Sequence, residues 1–148
     1  MSLSTSLNWL NGLGFEVQTN QHFQFMDAKK EYNGKDRGPN PKEYVLAGLC
    51  GCTGMDVVSL LKKYKVDFRD FNVSASTDLT KNHPIQFEKI QLSFKVYGEN
   101  LDVELINKAV NLSMTKYCGV SAMLSKAVPI YYSLYLNDSE IGKGQAQF

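Results

Sequence analysis

The spacing of apolar residues changes period several times along this chain, and each change marks an element. Residues 7–10, 15–19 and 22–26 are short alternating runs separated by Gly12, Gly14 and the Asn20 neighbourhood, which predicts three strands. Phe23 and Phe25 against His22 and Gln24 suit a half-buried antiparallel strand. Residues 27–41 are rich in Lys, Gly, Asn and Asp and read as an exposed loop, with Arg37 as a solvated charge. Asn40-Pro41-Lys42-Glu43 is then a helix start. Asn40 serves as N-cap, Pro41 as the first helical residue, and Glu43 as the reciprocal member of a capping box.

The helix from Pro41 to about residue 63 is apolar on nearly every side, through Val45, Leu46, Leu49, Met55, Val57, Val58, Leu60 and Leu61. A helix without a polar face is expected to be covered all round, by a sheet, a partner subunit or both. Strands are predicted at residues 68–78, with Phe71, Val73 and Ala75 on one face, and at 87–97, with Ile90, Leu92, Phe94 and Val96 on one face. Residues 101–114 carry Leu105, Ile106, Ala109, Val110 and Met114 at helical spacing. Cys118-Gly119 interrupts, a short helix resumes over about 120–127, and residues 130–136 alternate as a last strand. The polar tail from Asn137 reads as frayed. This order predicts one α+β domain over residues 1–148, with an antiparallel sheet, a long buried central helix and a second helical segment.

Composition excludes several functions. Sixteen basic against fifteen acidic residues leave a net charge of +1, with no basic footprint for nucleic acid or an anionic membrane. The N-terminus has no signal-peptide pattern, and the apolar stretch 44–61 carries Asp56 and several glycines, so it reads as a core helix and not a membrane span. A cytoplasmic, reducing location follows as the expectation, and there three cysteines imply transient chemistry and no disulfide framework. Cys50 lies about 200° around the helix from Cys52, so those two cannot pair, and Cys50 reads as core. The cysteines with His22 or His83 show no recognisable four-ligand zinc spacing, and no cofactor motif is present. Gly48, Gly51 and Gly54 each cost the central helix about 1 kcal/mol relative to alanine, which points to close approach of another element or a ligand. Cys118, at a helix start with Lys116 nearby, reads either as a thiol of lowered pKa or, taken singly like Cys52, as a buried small hydrophobe.

Two motifs give these cysteines a context. Asn40-Pro41-Lys42-Glu43, Ala47-Gly48, Gly51-Cys52 and Met55, followed by Tyr117-Cys118-Gly119-Val120-Ser121, resemble the paired motifs of the OsmC/Ohr family of peroxide-handling proteins. The run Asp56-Val57-Val58-Ser59-Leu60-Leu61 looks most like an uncharacterised bacterial subgroup of that family. The resemblance implies an intertwined homodimer with the central helices in the middle. It implies that Cys52 attacks a hydroperoxide, that Cys118 resolves the sulfenic acid as a disulfide, and that a cellular dithiol reduces it, with no bound cofactor. An apolar substrate pocket with Leu49 and Met55 is part of that expectation.

The chain also departs from the family pattern. It has no arginine before Arg37, and Lys42 stands where the family has a glutamate. Glu43 and Asp56 are the remaining candidate carboxylates. Asp56, four residues after Cys52, shares its helical face and can raise the thiol pKa or carry a proton. These departures keep two alternatives open, a dimer that binds a small ligand or senses redox state with little turnover, and a structural dimer with inert cysteines.

Overall fold

A computed structural model describes residues 1–148. The chain forms two compact units, Met1–Val45 and Leu46–Phe148. In the first, β1 (Ser6–Asn11), β2 (Gly14–Thr19) and β3 (His22–Met26) form an antiparallel meander in the order β1-β2-β3. All three strands stand within a residue or so of their predicted positions. The following segment is a largely exposed loop, as expected, anchored at its start. A single 3-10 turn spans Lys30–Tyr32, and Asp27 is buried at 2% exposure. Its carboxylate accepts from Arg37 Nε at 2.8 Å and from the Ala28 amide at 2.8 Å. Arg37 also donates to the Asn11 carbonyl at 3.2 Å, so its guanidinium, while still exposed to solvent as expected, ties the loop to β1. The Arg37 guanidinium beside Asp27 holds its carboxyl below the usual range. A Cβ at Gly14 would displace the end of the Arg37 side chain from this place.

Helix α1 runs Pro41–Lys63, as the capping residues predict. The Asn40 side chain accepts from the Glu43 amide at 3.1 Å while the Glu43 carboxylate accepts from the Asn40 amide at 2.9 Å, a reciprocal capping box. By length and composition α1 is also apolar enough to cross a membrane, a property it shares with core helices of soluble proteins. Here Leu49, Val57 and Leu61 are fully enclosed in the core. The expectation of burial on every side does not hold within one chain. Only the face of Leu49, Thr53, Gly54, Val57 and Leu61 is covered, while Val45 and Met55 are exposed.

The second unit builds a four-stranded sheet in the order β4-β5-β6-β7. Strands β4 (Asp70–Leu79) and β5 (Phe87–Tyr97) form an antiparallel hairpin. The β5–β6 pair is parallel, Ile90 opposite Ile130 and Val96 opposite Leu136, so the sheet is mixed where a wholly antiparallel one was expected. The physical reason is the long helical crossover between them, which returns the chain to the same end of the sheet. That crossover comprises α2 (Val103–Leu112), a π-helical turn (Ser113–Tyr117) and α3 (Gly119–Leu124). Asp102 caps α2, its carboxylate accepting from the Glu104 and Leu105 amides at 3.0 and 3.1 Å.

Strand β6 (Ile130–Leu136) continues into β7 (Ser139–Gln145), where the sequence suggested a frayed tail. Asn137 and Asp138, both at positive φ, make a two-residue hairpin turn, and the Asn137 side chain both donates to and accepts from the Gly98 backbone. Ala146 then donates to the Ile130 carbonyl and Gln147 to the Met114 carbonyl, so the C-terminus is tied to the crossover. One core joins the inward faces of β5 and β6 to α1 and α2, with Phe94 between Phe71 and Tyr132.

Candidate functional site

Cys52 lies midway along α1, one residue before Thr53, whose hydroxyl donates to the Leu49 carbonyl at 3.0 Å. Cys118 is the N-cap of α3. It occupies that place because the preceding helix ends in a π-helical turn closed by Cys118 N–H donating to the Ser113 carbonyl at 3.1 Å. The extra residue in that turn re-aims the chain. It leaves Ser113 and Met114 buried and brings the Cys118 sulfur to α1. The ligating atoms of Cys52, Asp56 and Cys118 all lie within 4.8 Å of one another. Two thiols from distant parts of the sequence thus meet, with a carboxylate beside them.

Each partner of this cluster is held by a further group. The Ser113 hydroxyl donates to an Asp56 carboxylate oxygen at 3.1 Å, which fixes the carboxylate and leaves its other oxygen free. The Ser121 amide donates to the Cys118 sulfur at 3.3 Å. Ser121 Oγ is wholly buried without a well-formed hydrogen bond of its own, and lies against the same sulfur.

The electrostatics of Cys118 favour the buried reading over the lowered pKa. Burial, and next the Cys52 side chain, push its thiol up to about 11, although the Ser121 hydroxyl and amide oppose the rise. One amide at the start of a six-residue helix does not outweigh full enclosure, since Cys118 is 0% exposed. Cys118 therefore rests as a neutral thiol. Cys50 is half-buried beside the core, and burial alone raises its thiol pKa, as suits a packing residue.

The other sequence candidates fall elsewhere. Glu43 is committed to the capping box and to Lys29 at 3.4 Å. The Asn40 amide, then Lys29, hold its carboxyl below the usual range. Leu49 is closed off in the core while Met55 is 76% exposed, so within one chain only Met55 presents a surface to an incoming molecule. The contributions of Ser113 and Ser121 were missed by sequence reasoning. Ser121 was legible as part of the second motif, whereas nothing local marks Ser113 as a partner of Asp56.

Comparison with known proteins gives the family and the fold. Residues 34–133 match the OsmC-like protein family. Protein YhfA of Escherichia coli strain K12 is 36% identical over 132 residues, which span 88% of this chain and 96% of that protein. A hypothetical protein from Aquifex aeolicus VF5 shares the fold with a TM-score of 0.82 at 24% identity, over 92% of this chain and 96% of its own. An organic hydroperoxide resistance protein OsmC from Legionella pneumophila superposes with a TM-score of 0.64 at 14% identity, over 92% of this chain and 96% of its own. The chain belongs to the OsmC-like protein family.

Proposed function

We propose that this protein is a thiol-dependent reductase of organic hydroperoxides, with Cys52 as the attacking cysteine and Cys118 as the resolving one. The observation that carries the reading is the meeting of the two sulfurs and the Asp56 carboxylate within 4.8 Å. A structural framework has no need of such a dithiol, whose members are free and whose second member is kept protonated. In the first step Asp56, held by Ser113, takes the Cys52 proton directly or through one water. The thiolate attacks the distal peroxide oxygen, the O–O bond breaks, and Cys52 becomes a sulfenic acid. The leaving alkoxide recovers the proton from Asp56 and departs as an alcohol. Cys118 then attacks the sulfenic sulfur, its proton leaves with the hydroxyl as water, and a Cys52–Cys118 disulfide forms. An external dithiol reduces the disulfide and is itself oxidised. No bound cofactor enters this cycle.

A homodimer in the cytoplasm accompanies this reading. The half-covered α1 supports it, because Gly48 and Gly51 face open space within the chain, where a second helix can approach closely. The exposed Met55 supplies apolar surface beside Cys52 for an organic substituent.

The test is stopped-flow mixing of reduced protein with cumene hydroperoxide. Two of the three thiols should disappear per chain, with Cys50 retained and an intramolecular disulfide formed. Cys118→Ser should instead accumulate a sulfenic acid trapped by a cyclic dione. Survival of both Cys52 and Cys118 thiols in excess hydroperoxide would end the proposal.

A second reading rests on Asp56. A carboxylate beside a thiol opposes thiolate formation, which favours a slow redox-sensing or ligand-binding dimer over a fast enzyme. Asp56→Asn separates the two. It slows peroxide consumption if Asp56 carries the proton, and speeds it if Asp56 only restrains the thiolate.

A further inference from the structure

The same cluster has a chemistry that needs no peroxide. Two thiols and one carboxylate converge from two places in the chain, and thiolates with a carboxylate are a donor set suited to a borderline-soft divalent cation. Tetrahedral zinc, with Zn–S near about 2.3 Å and Zn–O near about 2.0 Å, sets neighbouring donors roughly 3.5–3.8 Å apart. Donor atoms already within 4.8 Å of one another reach that spacing by contracting at most about 1.3 Å, within reach of side-chain rotation. Spacing along the sequence gave no hint of this set, because only folding brings Cys118 to the Cys52–Asp56 turn of α1.

We propose that the reduced protein binds one Zn²⁺ per chain through Cys52, Asp56 and Cys118, with the fourth position open to water or a small anionic ligand.

Two features outside the donor set support a built site. Metal-bound carboxylates and thiolates are characteristically steadied by hydrogen bonds from a surrounding layer of groups. Here the Ser113 hydroxyl holds one oxygen of Asp56 at 3.1 Å and leaves the other available, and the Ser121 amide points at the Cys118 sulfur at 3.3 Å. Ser121 Oγ, wholly buried with no partner of its own beside that sulfur, gains one when the sulfur becomes a metal-bound thiolate. Binding is a proton exchange. Each coordinating thiol releases its proton to solvent as the Zn–S bond forms, and no electrons move. In the Zn²⁺-loaded site each sulfur donates a lone pair to the metal and is a weaker nucleophile towards a peroxide than the free thiolate. Oxidation to the disulfide removes both ligands and ejects the metal. The inference requires only that the dithiol be reduced, and stands independently of the hydroperoxide reading.

The experiment is competition for Zn²⁺ between the reduced full-length protein and a chromogenic chelator, with Co²⁺ absorption as a second readout. One equivalent should bind per chain, with thiolate-to-Co²⁺ charge-transfer absorption and tetrahedral d–d bands. Cys52→Ser, Cys118→Ser and the isosteric Asp56→Asn should each weaken binding by tenfold or more with the fold unchanged by circular dichroism, and Cys50→Ser should leave it unaltered. The hydroperoxide-independent disulfide, made with diamide, should bind none. Equal affinity in wild type and Asp56→Asn, or in wild type and either serine variant, overturns the site. Success here with no peroxide turnover would refute the peroxidase alone, and the converse would refute the metal site alone.

Discussion

The three glycines of α1 make a prediction in which the same substitution has opposite consequences at different positions. An exposed or open glycine replaced by alanine in a helix gains about 1 kcal/mol from backbone entropy and propensity. At Gly48 and Gly51 an added Cβ meets nothing within 4 Å of the same chain, so each gain is uncompensated, and together they amount to about 2 kcal/mol for the isolated chain. At Gly54 the added Cβ lies 3.1 Å from Val73 Cγ1 and 3.6 Å from Phe71 Cε1. The Val73 side chain must then give by a few tenths of an ångström, and overpacking of this kind typically costs about 1–3 kcal/mol, enough to cancel or reverse the gain. If a partner's helix covers Gly48 and Gly51, the double alanine variant stabilises the monomer while separating the two chains. A loss of about 1.4 kcal/mol or more at that contact raises the dimer Kd at least tenfold. Sedimentation equilibrium reads the Kd, and urea unfolding at two protein concentrations reads the chain stability. Gly54→Ala should do the reverse, lowering or leaving unchanged the chain stability with little effect on Kd. A Gly48→Ala/Gly51→Ala protein that dimerises as before, and is simply about 2 kcal/mol more stable, would refute the idea that this face meets a second copy.

Further outcomes follow from the site and the caps. With the Cys118 thiol near 11, its thiolate fraction rises from about 10⁻⁴ at pH 7 to about 10⁻² at pH 9; disulfide closure in stopped-flow should accelerate about tenfold per pH unit across that span, and a flat profile would count against attack by the Cys118 thiolate. Because that folded pKa lies above the ordinary thiol value of 9.0, the stability Cys118 contributes is complete below pH 9 and declines as pH rises towards 11, visible as a falling urea midpoint in that window. Glu43 has the opposite sign: its depressed carboxyl stabilises the start of α1 above about pH 4.5 and loses that effect as pH falls through the folded value. Asn40→Ala should cost about 1 kcal/mol in chemical denaturation and leave this acid dependence in place, because the residue-40 amide that Glu43 accepts from is retained. Asp102→Ala should likewise lower stability by about 1 kcal/mol, since two amides of α2 lose their acceptor, while leaving thiol oxidation rates unchanged.

How much of this was legible before folding depends on the range of the interaction. Asn40, Pro41 and Glu43 announce the start of α1 because capping acts over three residues, and β5 and β6 declare themselves through strict alternation at Ile90–Val96 and Ile130–Leu136. The pairing of Cys52 with Cys118 was legible only through two motifs read together. Four things were not local. The parallel β5–β6 pairing depends on the hand and length of the crossover, and β7 is poor in apolar residues because Gly142 and Gly144 make room for the Asn107 and Tyr132 side chains. The direction of the Cys118 shift is set by enclosure, which no neighbour in sequence reveals, and it overrides the helix-start effect that the sequence does reveal. The Arg37–Asp27 pair, ten residues apart, was hidden inside a stretch whose composition resembles any surface loop.

The π-helical turn at Ser113–Tyr117 has a consequence for how this protein can change over time. One surplus residue there rotates everything downstream by about 100° relative to a regular helix. Removing a single residue from the turn restores ordinary helical winding and swings the second sulfur away from α1, with the core of α2 upstream scarcely touched. A one-codon deletion there is expected to separate the two thiols, so the number of residues between Asp102 and Cys118 bears on the site as directly as the cysteines themselves.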